Sequence, residues 1–240
     1  MPVPGDMTNS PMGQAVVFIG YLVVLTVMMI IFTLPSVLFL TYLVPEVPTS
    51  ITNALVIIAS TALLGPALSA GLYASRARTK DETPAAMKAF WRGYRMNFFD
   101  VLRIWFPAAI VLGILAFAIA VGVAGGLGVG VIALVIIAVA LALWAINALV
   151  IATFIHGTSS DIAKLAVYYL GRQWRVALGT LALIIVAGGI TAWVPGGIFA
   201  LCVAAGIWVL FLYEGMRPLI ADVTEKFSVA GAAPHDTLVD

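Results

Sequence analysis

The chain has 240 residues, of which 63% are hydrophobic and 10% charged, with 12 Lys and Arg against 11 Asp and Glu. A soluble domain carries about 25% charged residues, so a mean hydropathy of +1.13 excludes an ordinary globular domain and predicts an all-α, polytopic membrane protein. The single cysteine, Cys202, excludes a disulfide and a cysteine metal site and reads as a packing residue.

Residues 1–15 carry Pro, Gly and Met without periodicity and read as a flexible N-terminal segment. They lack the basic start of a signal peptide, and the apolar run that follows is too long for one. One helical transmembrane domain is expected over 16–216, then a polar C-terminal tail over 217–240 that frays after Arg217-Pro218. Six apolar runs reach the roughly 20 residues a helix needs to cross a bilayer. The first, about 16–44, contains Pro35, which should kink it. The second, about 51–74, is expected to break at Gly65-Pro66. The stripe Ala67, Gly71, Ser75 that follows lets another helix come close. The third covers about 104–123 and the fourth ends near Ile155. Gly122, Gly126 and Gly130 between them are spaced like a helix-packing motif. The uncharged run from 104 to 155 is long enough for two crossings, however, which favours a turn. The fifth and sixth, about 176–193 and 197–213, flank Val194-Pro-Gly196.

Two amphipathic pieces precede the third and fifth spans. In Thr83–Trp105, Met87, Phe90, Trp91, Tyr94 and Phe98 recur at helical spacing, with Lys88, Arg92 and Arg95 opposite. Thr83 and Pro84 suit a cap and a first turn. The pattern predicts a basic helix lying in the membrane surface and turning directly into the third span. Its candidate contact residues, for lipid headgroups or a protein partner, are Lys88, Phe90, Trp91, Arg92, Tyr94, Arg95, Asn97 and Phe98. In Asp161–Arg175, Ile162, Leu165, Ala166 and Tyr169 form one face, and Lys164, Tyr168, Arg172 and Arg175 the other. Offset by 76 residues, Lys88, Asn97 and Phe98 align with Lys164, Gln173 and Trp174. A repeat would explain this, but ordinary interfacial composition explains three positions more simply.

The charges set an orientation. All 12 Lys and Arg fall in or beside the links after spans two, four and six, whereas the other turns hold only Glu46. Positive residues mark the cytoplasmic side, so both termini are expected in the cytoplasm. Trp91, Trp105 and Trp174 are expected as aromatic anchors at the inner interface, and Trp193 at the outer one.

Motifs for catalysis are missing: the sequence has no Ser-His-Asp constellation, phosphate-binding loop, HExxH or paired carboxylates within a span. No enzyme activity, cofactor, metal or nucleic-acid partner is expected. An ionisable group at mid-depth, which ion-coupled transport usually needs, is also lacking. Asn147 is the most deeply placed strong polar residue, and an interhelical hydrogen bond is its simpler role. His156 reads as interfacial and His235 as part of the tail.

Three segments carry a resemblance: Phe32-Thr-Leu-Pro35, Leu63-Leu-Gly-Pro-Ala-Leu-Ser-Ala-Gly-Leu-Tyr73 and Phe90-Trp-Arg-Gly-Tyr-Arg-Met-Asn-Phe98. Together they resemble the YesL family of bacterial integral membrane proteins over the first half of the chain. Residues 36–63 depart from the shorter members, which pass almost directly from Leu-Pro to Gly-Pro-Ala. The resemblance implies a bacterial cell membrane location and genes often set beside carbohydrate uptake transporters and glycan-degrading enzymes. It implies no catalytic residues. Ala85-Ala86, Gly93 and Ile104-Trp-Phe-Pro107 also resemble, with a missing Glu and a shifted Gly, the ATPase-docking loop of importer permeases; coincidence accounts for this more simply. The expectation is a non-catalytic membrane protein, accessory or scaffolding to a carbohydrate uptake system. Its partners would be the lipid bilayer and transporter subunits, a cytoplasmic ATPase or a regulator. The alternative is a small transporter or permease in its own right.

Overall fold

The computed structural model describes residues 10–44, 47–80, 85–155 and 157–229. Seven helices follow in order: α1 (Pro11–Leu40), α2 (Ile51–Lys80), α3 (Ala86–Ala124), α4 (Gly128–Phe154), α5 (Ser159–Arg172), α6 (Trp174–Trp193) and α7 (Gly197–Val229). All but α5 are long and apolar enough to cross a membrane. The chain is a multi-pass, all-helical membrane protein, as its composition demands, because a helix satisfies its own backbone where no water can. Residues 1–9, Glu46, Thr83, Pro84, His156 and His235 lie outside the described residues.

The helix ends follow local chemistry. Ser10 caps α1, its Oγ accepting from the Gly13 N–H at 3.0 Å, and Pro11 takes the first helical position. Residues 11–15, expected to be flexible, are therefore helical. The α1–α2 turn is held by Asn53, whose side-chain amide donates to the Val44 and Val47 carbonyls and whose oxygen accepts from the Val44 N–H. The turn between α3 and α4 falls at Gly125–Leu127, with Gly126 at φ +70°. The glycine-rich stretch is thus a turn, and Gly122 also packs beside Val131.

The second helix organises the bundle. It packs on α1, α3, α4 and α7, and positions 65–67 and 69–75 are all buried. It does not break at Gly65-Pro66. Pro66 withdraws one backbone donor, yet α2 runs on unbroken; Gly65 beside it leaves room for the Trp105 indole, whose Nε1 donates to the Thr61 carbonyl at 2.7 Å. Trp105 is therefore a buried wedge between α2 and α3 rather than an interfacial anchor. Farther along, Gly71 lies against Met29 of α1 and Val209 of α7, and Gly93 of α3 lies under Tyr73. The Ala67, Gly71, Ser75 stripe thus does admit close neighbours.

Two boundaries differ from expectation. The basic amphipathic segment and the third span form one uninterrupted helix of 39 residues, about 58 Å long. An angled surface helix would need a break, and neither Gly93 nor Asn97 supplies one, because both are buried against neighbouring helices. A break occurs instead at Gln173, between α5 and α6, so the aligned Asn97 and Gln173 occupy unlike places. At the C-terminus, α7 continues through Pro218 to Val229. Leu219, Ile220 and Val223 are buried in the core, which keeps this stretch from fraying.

Candidate functional site: the basic end of the bundle

The basic residues gather where α2, α4 and α7 end and where α3 and α6 begin. Here polar contacts lock the helices together. The Tyr21 hydroxyl of α1 donates to the Ala74 carbonyl of α2 at 2.5 Å. Glu214 of α7 bridges Arg78 of α2 at 3.5 Å and Arg217 at 2.9 Å, and the Thr79 and Tyr213 hydroxyls lie 3.2 Å apart. Such half-exposed ion pairs add only about 0–1 kcal/mol each, so they set register more than stability.

α5 docks on this end by the face its sequence spells out. Ile162, Ala166 and Tyr169 are buried, whereas Lys164, Tyr168, Arg172 and Arg175 are exposed. Thr158 caps the helix, its Oγ accepting from the Asp161 N–H and its hydroxyl donating to the Asp161 carboxylate. The Tyr169 hydroxyl donates to Asp222 Oδ2 of α7 at 2.7 Å, and Lys226 holds the same oxygen at 2.8 Å. Burial, then the Asp222 carboxylate, push the Tyr169 hydroxyl above its ordinary pKa, keeping it protonated as a donor. Trp144 of α4 donates to the Ala163 carbonyl at 3.1 Å.

The predicted contact residues divide between two roles. Phe90 and Asn97 are fully buried, and Tyr94, Phe98 and Arg92 are half-buried. Phe32 of α1 packs its ring against Phe90, Trp91 and Tyr94 at centroid separations of 5.2, 6.0 and 4.5 Å. The face centred on Phe90, Gly93 and Asn97 is thus an internal packing face. Three predicted residues, Lys88, Trp91 and Arg95, are exposed. With Phe99 and Arg103 they form a stripe at spacings of three and four along one side of α3, alternating cationic and aromatic groups. Sequence reasoning missed Phe99 and Arg103 because it drew the aromatic and basic faces as opposites. Arg103 also lines a recess of about 430 Å³ with Asp100 and the start of α5. The importer-like pattern is not a docking loop: Gly93, Ile104 and Trp105 are buried within a continuous helix.

Asn97 makes the interhelical contacts that sequence had assigned to Asn147. Its amide donates to Ser69 Oγ of α2 at 3.3 Å and to the Thr153 carbonyl of α4 at 3.2 Å, and the Thr153 hydroxyl donates to Ser69 Oγ at 2.9 Å. Asn147 is also buried, but its Oδ1 has no partner among the described residues. Those residues include no cluster of His, Cys, Asp and Glu able to hold a metal. A cavity of about 360 Å³ lies toward the other end of the bundle, between α1, α2, α6 and α7, with walls that are almost wholly apolar.

Of the helices that meet at the basic end, α2 and most of α3, together with most of α1, fall in the part of the chain that a known family matches. Residues 21–119 match a family of unknown function, DUF624. No curated protein and no solved structure matches the chain at a significant level. The DUF624 match begins at Tyr21, takes in the whole α2 hub and the exposed stripe, and ends near the far end of α3.

Proposed function

We propose that the protein is a non-catalytic membrane partner, an accessory or scaffolding subunit of a bacterial carbohydrate uptake system, with its basic end in the cytoplasm. The observation that carries this reading is the stripe Lys88, Trp91, Arg95, Phe99 and Arg103, held on the part of α3 that bears all of that helix's charges. A helix of about 58 Å outruns a hydrocarbon core of about 30 Å. An Arg inside that core costs about 2.5–3.5 kcal/mol on insertion scales, so the charged half belongs in the headgroups or beyond them. There it lies beside α5, which the Tyr169–Asp222 bond ties to the end of α7. Cationic and aromatic side chains on a fixed helix suit an acidic face of a transporter subunit, an ATPase or a regulator. The link to carbohydrate uptake rests on the YesL resemblance, and the cytoplasmic side on the one-sided charge distribution.

The cavity favours a second reading, a small transporter. Its walls argue against a sugar as cargo, because a sugar needs many convergent hydrogen-bonding groups and the hydroxyls of Thr33 and Ser60 already serve backbone carbonyls. The test is purification of the tagged chain from native membranes, beside the variant Lys88→Gln, Trp91→Ala, Arg95→Gln. A stoichiometric partner held by the native chain and lost by the variant at equal membrane levels supports the accessory role. Sugar uptake by the purified protein alone in sealed vesicles would overturn it.

A further inference from the structure

The exposed stripe on α3 has the form of a helix-packing ridge. Trp91, Arg95, Phe99 and Arg103 follow one another every four residues, with Lys88 one turn before them. Rows at this spacing are the ridges that fit into the groove of a second helix. The same row runs on into the span as Pro107 and Val111, both exposed. It is narrow, since Arg92, Met96 and Leu102 beside it are half-buried. One uncovered ridge therefore passes from the cationic half of α3 into its apolar half without a change of side.

Position and charge decide what covers it. From Arg103 back to Lys88 the helix rises about 22 Å, and a tilt of about 20° shortens that little. The headgroup layer adds only about 5–8 Å to each side of the hydrocarbon core, so lipid does not reach Trp91. Trp91 is nonetheless 50% exposed, and Met87 beside it is 61% exposed. Large apolar side chains set together on a surface in water mark a protein contact. A second copy of this chain does not fit. Two copies share one topology, so pairing along this ridge would set Lys88, Arg95 and Arg103 against the same cations, and like charges repel. Arg103 pairs with Asp100 at 3.7 Å, whereas Lys88 and Arg95 form no ion pair among the described residues. The complement to these two cations is acidic.

We propose that this ridge seats a transmembrane helix of a partner protein together with its acidic cytoplasmic continuation, packed alongside α3. The inference rests on the accessory-subunit reading and specifies the chemistry of that partner. Lys88, Arg95 and Arg103 stand seven and eight residues apart, so the facing helix carries Asp or Glu about two turns apart. Apolar residues midway between those acids meet Trp91 and Phe99, with Trp91 as the anchor. Past the level of Arg103 the facing helix is apolar, because Pro107 and Val111 offer no polar contact.

The experiment uses the full chain in native membranes, with photoreactive p-benzoylphenylalanine in place of Trp91 or of Phe99, an aromatic for an aromatic. The exposed Ile136 of α4 is replaced in the same way as a control. One partner protein is expected to be joined at 91 and at 99 but not at 136. The joined peptides should lie in one segment that adjoins a hydrophobic span and bears acids seven or eight residues apart. Lys88→Glu with Arg95→Glu should cut the adduct roughly tenfold at equal membrane levels, as two exposed ion pairs become repulsions. Exchanging the facing acids for Lys should restore it. Should the double reversal fail to insert, Lys88→Gln with Arg95→Gln takes its place, with a loss of roughly threefold expected. Adducts with lipid alone, with a second copy of this chain or with a segment lacking those acids overturn the proposal, as does an adduct that survives the charge changes or no adduct at all. The accessory role is judged apart from this: a stoichiometric partner joined through some other segment leaves that role standing and refutes the acidic helix.

Discussion

Replacing Gly65 by Ala tests the packing of α2 directly. A methyl group built there would stand 2.5 Å from Trp105 Cγ and 2.9 Å from its Nε1, well inside ordinary contact. Helix propensity pulls the other way, since Ala is favoured over Gly by about 0.8–1.0 kcal/mol. Overpacking a well-filled site costs about 1–3 kcal/mol. A displaced indole also loses its bond to the Thr61 carbonyl, worth about 0.6 kcal/mol and at most ~1.7 in membrane helices. The clash wins, and Gly65→Ala should destabilise by about 1–3 kcal/mol. Gly188→Ala is the control: it has open space around it, so it should be neutral or stabilise by up to about 1 kcal/mol. Unfolding with SDS in mixed micelles, followed by tryptophan fluorescence, measures both. Pairing Gly65→Ala with Trp105→Leu should recover part of the loss, a coupling of roughly 0.5–3 kcal/mol. If Gly65→Ala behaves like Gly188→Ala, the notch does not hold the indole and the account of α2 is wrong.

Other predictions follow from the basic end and from the turns. Asn97→Leu should cost less than Gly65→Ala, about 1 kcal/mol or below, because Asn97 makes two long bonds while its Oδ1 goes unpaired; the same SDS titration ranks them. The bond from Tyr169 to Asp222 needs a protonated phenol, and the folded protein raises that group's pKa. Its stabilisation is therefore complete below the unfolded value, near 10, and is lost as pH climbs beyond it. Limited proteolysis of α5 should accelerate only above about pH 10, and Tyr169→Phe should remove that dependence. With Cys202 replaced, single cysteines at 125 and 195 should label from outside intact cells, and those at 80 and 160 only after permeabilisation. Outside labelling at 80 would reverse the orientation.

Residues with one job were the legible ones. Hydropathy located all six spans, because crossing a bilayer demands an unbroken apolar run. The face of α5 was readable because only one of its sides meets protein. In α3 the same periodicity misled: Met87 and Phe90 look alike as apolar residues, yet Phe90 is buried under Phe32 and Met87 is 61% exposed. The open side of this helix interleaves Lys88, Arg95 and Arg103 with exposed Met87, Trp91 and Phe99, so it offers no purely polar side to contrast with its packed side. Gly65-Pro66 misled for a related reason. Proline signals a break locally, and only the arrival of Trp105 from 40 residues later shows what the glycine is for. Asn53 had no signal at all, since its three hydrogen bonds depend on where the preceding turn brings Val44 and Val47.

The hub on α2 also imposes a timetable. Its span has a mean hydropathy of 1.9 against 2.8 for α1 and 3.0 for α4, so it enters the membrane with the least help from lipid among the first four helices. One of the surfaces that completes it, Val209 on Gly71, belongs to the last helix made. At translation rates of about 5–20 residues per second, that surface arrives on the order of ten seconds later. Through that interval the nascent chain carries an open groove of small residues, available to an insertase or chaperone and conspicuous to a membrane protease. A chain ending at Phe154 keeps every residue of the DUF624 match but never closes the groove. Pulse-chase should show it inserted and then rapidly degraded, and co-expression of residues 155–240 as a separate fragment should restore its half-life.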